Sequence, residues 1–343
     1  MKIYDTLKKF NAVLSVSGSE QEMAKTITEI ISPFVDEIHA DAMGNLIALK
    51  KSTRENAEKL MLSAHMDHIG FMVMDIDSDG RARVAPIGGI SAIAASYSVV
   101  SFASGLKGVL VPESGTAAAD IKAEKLYVDF GTPGKKAIEK KVRIGDVCAV
   151  CLPLTRLSGG CVSGSFMDNK ISCACLIETA RELASGKELS LPYDVYFVFT
   201  AQEEVGCRGA KTAAYSIAPD YGINVDIYPA ADVIGGKSGL KLGAGPSIKI
   251  KDASVLCTFP MIKHLKASAE EADIKYQIEV ATFGGTDTSS VITSHGGVMA
   301  GAISIPTRHT HSQVEMLKLS DAENAVELLT ASVKKSFINA ATE

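Results

Sequence analysis

The sequence has no excess of basic residues. Lysine and arginine number 35 against 40 aspartates and glutamates, so the formal net charge is −5 at pH 7. A nucleic-acid-binding surface requires a clearly basic region, and we therefore expect no nucleic-acid partner. Charged residues make up 22% of the chain and hydrophobic residues 46%. This balance excludes a wholly disordered protein and is typical of globular domains.

The sequence also has little that could hold it in a membrane. Residues 84–106 carry no charge, but Pro86 and several serines and glycines interrupt this run, so we expect no spanning helix. The first 16 residues include Asp5 and are amphipathic rather than basic and then apolar, which is unlike a secretory signal. We expect a cytoplasmic protein with no membrane partner.

The sequence also lacks the cysteine spacing of disulfide-rich domains, and it lacks the common motifs of nucleotide-binding loops and of serine nucleophiles. The seven cysteines are odd in number and lack the spacing of a small disulfide-rich domain, which indicates reduced thiols. No GxSxG, GxGxxG or Walker-type loop occurs. Serine hydrolases, dinucleotide-binding proteins and nucleotide-binding proteins therefore receive no support.

The pattern of elements predicts an α/β fold with an insertion. A length of 343 residues suggests about two domains. Residues 1–71 and 161–343 alternate between strand-like and helix-like segments, which predicts a mixed, largely parallel sheet flanked by helices. Between them, residues 72–160 form short β-like runs separated by glycine, proline and aspartate. This texture predicts a small, β-rich, barrel-like domain inserted into a discontinuous first domain.

Potential metal ligands follow the predicted strands. In open α/β sheets, ligands bind at the carboxyl ends of the strands, so we expect these side chains to meet at one edge. They are His65 and Asp67 after 60–64, Glu203 and Glu204 after 195–199, Asp226 after 223–225, His311 after 298–305, and Asp168 at the start of a helix. Nitrogen and oxygen donors without a thiolate suit zinc or cobalt in a catalytic site.

The set is large enough for two divalent metal ions. A dinuclear site needs about one bridging carboxylate, plus a histidine and a carboxylate for each ion. Asp168 as the bridge, His65 and Asp226 on one ion, and Glu204 and His311 on the other satisfy that requirement.

Two further carboxylates have predicted roles in this site. Glu203 lies beside a ligand and is expected to act as the general base for the attacking water. Asp67, two residues after His65, is expected to hydrogen-bond the far nitrogen of a ligand imidazole and orient it. The chemistry predicted from these residues is metal-assisted hydrolysis of an amide.

The motifs, in this order, resemble those of the glutamyl aminopeptidase family of dinuclear metallopeptidases, whose tetrahedral, twelve-subunit members are called TET aminopeptidases. The matching sequences are AHMD at 64–67, MDN at 167–169, QEEVG at 202–206, VDI at 225–227, GGTD at 284–287 and RHTHS at 308–312. The resemblance covers nearly the whole chain and implies a zinc-peptidase-like fold. The resemblance implies the same metal ligands, the same general base and the same supporting carboxylate as the positions of these residues after the predicted strands.

The resemblance also implies partners that composition alone does not. The substrates would be short peptides, cleaved at the N-terminus. Residues 72–160 would build the contacts of a large homo-oligomer, a tetrahedral dodecamer.

Three residues depart from the family pattern. His68 stands where glutamate is usual, Lys170 where arginine is usual, and His309 lies two residues before the last ligand, where tyrosine is usual. A lysine cannot reproduce the fork of a guanidinium. These departures leave the substrate preference open. Asp287 of the GGTD motif also has two interpretations: it binds the substrate ammonium, or it caps the helix that follows.

Two alternatives to an aminopeptidase remain open at this point. A deacylase or carboxypeptidase of the same metal clan would use the same ligands with a different end of the substrate. A metal-binding assembly protein with dormant chemistry would keep the ligands without turnover. The presence of Glu203, which has no ligand role, favours an enzyme.

Overall fold

The computed structural model describes residues 2–131, 134–185, 190–236 and 239–337. Over these ranges the chain forms one large mixed sheet flanked by helices and one closed six-stranded barrel. The fold class predicted from the sequence is confirmed. No helix in the described ranges is both long and apolar enough to span a membrane.

The helices and strands follow in chain order. The α-helices are α1 (Ile3–Asn11), α2 (Gln21–Ile31), α3 (Ala92–Ala95), α4 (Lys135–Ile138), α5 (Met167–Ser185), α6 (Arg208–Ile217), α7 (Phe259–Glu271), α8 (Thr288–Ile292) and α9 (Leu319–Lys334). The strands are β1 (Glu37–Ala40), β2 (Leu46–Lys50), β3 (Glu58–His65), β4 (Gly70–Ile76), β5 (Ala82–Ile87), β6 (Ser98–Phe102), β7 (Lys107–Pro112), β8 (Leu126–Asp129), β9 (Val147–Val150), β10 (Thr155–Arg156), β11 (Cys161–Gly164), β12 (Tyr193–Thr200), β13 (Tyr221–Pro229), β14 (Ser247–Lys251), β15 (Gln277–Val280), β16 (Met299–Arg308) and β17 (Glu315–Lys318). Short 3₁₀ turns lie at Ser32–Phe34, Ala118–Asp120, Ala123–Lys125 and Ser158–Gly160.

Four parallel strands form the centre of the large sheet. Its strand order is β1-β2-β12-β3-β13-β16-β17-β11-β10, with β14 and β15 attached beside β16. Strands β12, β3, β13 and β16 run parallel to their neighbours in this group, whereas the flanking pairs are antiparallel. The carboxyl ends of β12, β3 and β13 therefore lie at one edge, as open α/β sheets require for a ligand site.

Apolar side chains on both faces hold the sheet between its helices. The larger cluster includes Phe10 of α1, Phe197 of β12 and Leu329 of α9, all fully buried. A smaller cluster packs Ala213 of α6 and Val291 of α8 against the opposite face. Burial of one large apolar side chain stabilises the folded state by about 1.5–3 kcal/mol.

The barrel has its own core. Strands β4-β5-β8-β7-β6-β9 close because β9 also pairs with β4, and Val100, Leu110 and Val128 fill the interior. The barrel strands begin at Gly70, two residues before the predicted start of the insertion, and end at Val150. A Cβ at Gly70 would lie 2.6 Å from a side-chain atom of Val16, so glycine permits the close approach between the barrel and the segment that joins α1 to α2.

Candidate metal centre

The first group of donors is buried at the ends of two central strands. His65 is the last residue of β3, and Asp226 lies in β13. The Nε2 atom of His65 is 3.1 Å from Oδ1 of Asp168 and 3.7 Å from Oδ1 of Asp226. One donor atom from each of the three residues lies within 4.8 Å of the others. Two neighbouring parallel strands and the start of α5 therefore bring together three residues that are far apart in sequence.

The second group shares Asp168 with the first. Its other oxygen, Oδ2, is 3.2 Å from Nε2 of His311, which is 3.8 Å from Oε2 of Glu204. Donor atoms of Asp168, Glu204 and His311 also lie within 4.8 Å of one another. Since each oxygen of Asp168 faces a different histidine, this carboxylate lies between the two groups. The sequence argument assigned this bridging position to it.

Glu315 ties the second group together and was not identified from the sequence. Its Oε2 accepts a hydrogen bond from the backbone N–H of Asp168 at 3.0 Å, and its Oε1 accepts one from the N–H of His311 at 2.8 Å. Glu315 is 2% exposed, and burial, with the nearby Asp168 carboxylate, raises its pKa to about 8. It opens the short antiparallel strand β17, so the strand-end argument gave no signal for it.

The carboxylate of Asp67 has more partners than the sequence predicts. Nδ1 of His65 lies 3.0 Å from the backbone oxygen of Asp67 and 3.5 Å from its carboxylate. The carboxylate also accepts hydrogen bonds from Ser17 Oγ at 2.7 Å and from the backbone N–H groups of Glu203 and Glu204 at 3.0 and 3.2 Å. It therefore contacts the far nitrogen of His65 and also fixes the turn that carries 203–204.

Glu203 faces the first group from the turn after β12. Its Oε2 is 3.9 Å from Nε2 of His65, and its Oε1 accepts a hydrogen bond from Sγ of Cys207 at 3.3 Å. Burial raises the pKa of Glu203 well above its usual range, and the Asp287 carboxylate adds to this although His65 opposes it. A carboxyl group with a raised pKa is suited to accept and return a proton near neutral pH.

Burial and neighbouring charges shift the pKa values of the residues in the two donor groups. Burial, with the Asp168 carboxylate, raises the pKa of Glu204 to about 8. Burial also raises the pKa of Asp226, whereas hydrogen bonds from His311 and His65 outweigh burial and lower that of Asp168. The hydrogen bond to Asp168 raises the pKa of His311 to about 10.

One carboxylate oxygen in the second group is buried without a hydrogen-bond partner in the described ranges, as a metal ligand would be. Oε1 of Glu204 is buried and has no hydrogen-bond partner among the described residues. A buried carboxylate oxygen without a partner destabilises the folded state, and a divalent cation bound to it would offset that cost. Histidine nitrogens and carboxylate oxygens without a thiolate are the donors of catalytic zinc and cobalt sites. The residues present therefore fit two divalent ions.

Asp287 does not cap the following helix through its side chain. It occupies the position before α8, but no capping hydrogen bond forms. Instead its Oδ2 accepts a hydrogen bond from Thr200 Oγ1 at 2.5 Å, and its Oδ1 has no partner among the described residues. The side chain is fully buried, and this burial raises its pKa to about 7. The capping interpretation is therefore wrong.

The three departures from the family pattern lie outside the donor groups. His68 is buried, stacks on Phe166 with ring centroids 3.6 Å apart, and its Nε2 accepts a hydrogen bond from the N–H of Ser15 at 2.9 Å. Lys170 is buried over the same ring and donates to the backbone oxygen of Val13. Burial lowers the pKa of Lys170 to about 7. His309 is exposed.

An open cleft of about 620 Å³ gives access to both donor groups. Beyond the metal-facing residues it is lined by Tyr228 and Phe283, whose rings are 5.5 Å apart, and by Lys249. The Lys249 ammonium is fully buried and pairs with Asp252 at 2.8 Å and Glu279 at 3.1 Å. Its charge is thereby compensated within the wall of the cleft.

Comparison with known proteins identifies close relatives along almost the whole chain. A "Putative aminopeptidase" of Acetivibrio thermocellus is 41% identical, covering 96% of this chain and 98% of the relative. The "Lysyl aminopeptidase" of Pyrococcus furiosus is 33% identical, covering 96% of each.

Solved structures show the same architecture. An aminopeptidase from the archaeon Desulfurococcus kamchatkensis superposes with a TM-score of 0.92 at 31% identity, covering 98% of this chain and 95% of that one. A dodecameric structure titled PhTET1-12s superposes with a TM-score of 0.87 at 31% identity, covering 97% and 99%.

The family model described as M42 glutamyl aminopeptidase matches residues 44–328. This range includes both donor groups, Glu203 and the barrel. The resemblance seen in the motifs is confirmed, and the chain belongs to the M42 glutamyl aminopeptidase family of metal-using aminopeptidases.

Proposed function

We propose that the protein removes N-terminal residues from short peptides at a site that binds two divalent metal ions, zinc or cobalt. The observation that carries this proposal is the position of Asp168 between two histidines. Its Oδ1 is 3.1 Å from Nε2 of His65, and its Oδ2 is 3.2 Å from Nε2 of His311. Each side has one further carboxylate.

Five residues would hold the two ions. His65 and Asp226 would bind one ion, Glu204 and His311 the other, and Asp168 both. When bound, the ions would polarise the scissile carbonyl and would lower the pKa of a water molecule to roughly 7.

Glu203 would act as the general base and then as the general acid. It would take one proton from the attacking water and return it to the leaving amine as the C–N bond breaks. Its Oε2 atom faces His65 at 3.9 Å, and hydrogen bonds from the N–H groups of Glu203 and Glu204 to Asp67 fix the turn. Asp67 would thus position the base, and its carboxylate, 3.5 Å from Nδ1 of His65, would also help to orient that imidazole.

The cleft of about 620 Å³ beside the donor groups would receive the peptide. Its aromatic wall, Tyr228 and Phe283, offers apolar contact, and Phe283 is 57% exposed. Because Lys249 is already paired with two carboxylates, it offers little free charge to a substrate side chain.

A panel of peptides tests the activity against its alternatives. Matched substrates with a free N-terminus, a blocked N-terminus and a blocked C-terminus would be assayed with zinc and with cobalt. An aminopeptidase cleaves the first and third and spares the second. Cleavage of the blocked N-terminus alone would indicate a deacylase, and dependence on a free carboxylate would indicate a carboxypeptidase. No turnover on any substrate would favour the dormant assembly protein.

We also propose that the chain forms a large cytoplasmic homo-oligomer, a tetrahedral dodecamer, through residues 72–160. The barrel presents exposed apolar side chains, including Met74 at 61%, Ile93 at 60% and Tyr97 at 72% exposure. A related structure is titled "Pyrococcus horikoshii TET1 peptidase can assemble into a tetrahedron or a large octahedral shell". Light scattering at micromolar concentration should give a mass far above the 36.1 kDa chain; a monomer would contradict the proposal.

A further inference from the structure

A third group of potential ligands lies beside the proposed base, outside the two donor groups. It consists of Glu203, Cys207 and Asp287, which offer one thiol sulfur and two carboxylate oxygens within 4.8 Å of one another. The three residues come from the turn after β12, the residue before α6 and the residue before α8. In this group, Sγ of Cys207 already contacts Oε1 of Glu203 at 3.3 Å.

Asp287 is the independent indication that a ligand belongs there. Its side chain is fully buried, yet its Oδ1 has no hydrogen-bond partner among the described residues. It lies next to a second carboxylate, that of Glu203, within the same group. Two carboxylates this close in a buried place repel each other, and a cation between them would remove that cost.

The donor set selects the class of cation. Zinc accepts thiolate sulfur at about 2.3 Å and carboxylate oxygen at about 2.0–2.2 Å, and softer metals such as cadmium also favour sulfur. Magnesium and calcium prefer shells of oxygen ligands. The first two donor groups contain no cysteine, so the sulfur distinguishes this group chemically.

We propose that Glu203, Cys207 and Asp287 form a third site, which binds a zinc-class ion and inhibits the enzyme. Glu203 and Cys207 line the open cleft, which gives the ion a path from solvent. On binding, the Cys207 thiol releases its proton to solvent and its hydrogen bond to Glu203 is replaced by a bond to the ion. The ion then occupies the oxygens of Glu203 and prevents that residue from accepting a proton from water.

Inhibition rests on the proposed function of Glu203, but occupation of the site does not. The experiment therefore measures both. Protein loaded with two equivalents of zinc is titrated with cadmium while the ultraviolet absorption of a thiolate–cadmium bond is recorded. Equilibrium dialysis gives the number of ions bound, and peptide cleavage is assayed in the same samples.

We expect a third equivalent to bind, a thiolate band to rise with it, and cleavage to fall in proportion. Cys207→Ser should abolish the band and weaken the third ion by at least about tenfold, since even outer-shell changes at metal sites cost about 10- to 100-fold. Asp287→Asn should lower the affinity for the third ion but keep the thiolate band. Cys161→Ser, at another partly buried free cysteine, is the matched control and should behave as the wild type.

Each contrary result overturns a defined part of the proposal. The site is rejected if the wild type binds no third ion, or if the band persists in Cys207→Ser. If the third ion binds with its thiolate band while cleavage continues undiminished, the inhibitory role is rejected. If the two-equivalent protein cleaves no peptide at all, the proposed function fails, and the band and the stoichiometry still decide the third site.

Discussion

The two halves of the proposed metal centre are built in different ways. His65 is 2% exposed and ends a central strand, and its partner Asp226 lies in the adjacent strand. His311 has a 41% exposed side chain and a positive φ of 57°, and it lies in the loop after β16. A rigid sheet defines the first half, whereas loop contacts define the second.

Those loop contacts come from two places. Glu315 accepts the N–H of His311, and the oxygen of Gly89, in the loop after barrel strand β5, lies 3.1 Å from Nδ1 of His311. Outer contacts of this kind orient metal-binding imidazoles. The second half therefore includes a contact from the segment that follows a barrel strand. We expect the two ions to differ in how easily they are lost.

The largest expected effect is common to both halves. Glu203→Gln removes the proposed base but none of the five ligands, so the rate of peptide cleavage should fall by about 10²–10⁴-fold. Metal content should remain near two ions per chain. The measurement is kcat beside elemental analysis of the same sample. Substantial turnover in the variant would contradict the role of Glu203.

A change at Glu315 should separate the halves. In Glu315→Gln, one of the two backbone N–H groups of Asp168 and His311 would face an amide NH₂ instead of an oxygen. In this variant the affinity for the second ion should fall by about 10- to 100-fold. The first ion should then be bound more tightly than the second. Stepwise removal of metal with a chelator measures this, and equal loss of both ions would show that the halves are not distinct.

A smaller change tests the barrel loop. A Cβ at Gly89 would come within 3.0 Å of Nδ1 of His311. Gly89→Ala should therefore displace the imidazole and weaken the second ion by roughly tenfold, equivalent to about 1.4 kcal/mol. Gly296→Ala is the matched control, because a Cβ there meets no atom within 4 Å. An unchanged affinity for the second ion in Gly89→Ala would show that this barrel loop does not position His311.

The smallest effect concerns a histidine outside both halves. His264 of α7 faces α9, and its Nε2 lies 3.0 Å from the oxygen of Ser332. Burial lowers its pKa below 6.5. The unfolded chain therefore binds this proton more readily, and the stabilisation present above pH 6.5 is lost as the pH falls towards the folded pKa. The free energy of unfolding should decline less below pH 6.5 in His264→Gln, as followed by denaturant titration; equal declines would contradict this.

The sheet-defined half was accessible from the sequence. Polar residues after apolar runs, at 65, 203 and 226, predicted a common edge because parallel strands align their carboxyl ends. Those side chains do meet in the structure. The fold class followed from the same alternation of strands and helices, and the barrel from the change in texture after residue 72.

The loop-defined half was only partly accessible. His311 was predicted from its position after a strand, but Glu315 and Gly89 act through contacts between segments that no periodicity relates. The sequence placed the carboxylate of Asp67 beside His65, but its second role was not accessible, because spacing does not reveal donors such as the N–H groups of 203 and 204. The sequence did not predict a role for Cys207, because its neighbour Asp287 comes from a distant segment.

In the proposed centre, two divalent ions share Asp168. Anomalous X-ray diffraction from crystals grown with zinc, with data on both sides of its absorption edge, would locate both ions. We predict two peaks per chain, one beside His65 and Asp226 and one beside Glu204 and His311, with Asp168 contacting both. A single peak, or two peaks without Asp168 between them, would contradict the account.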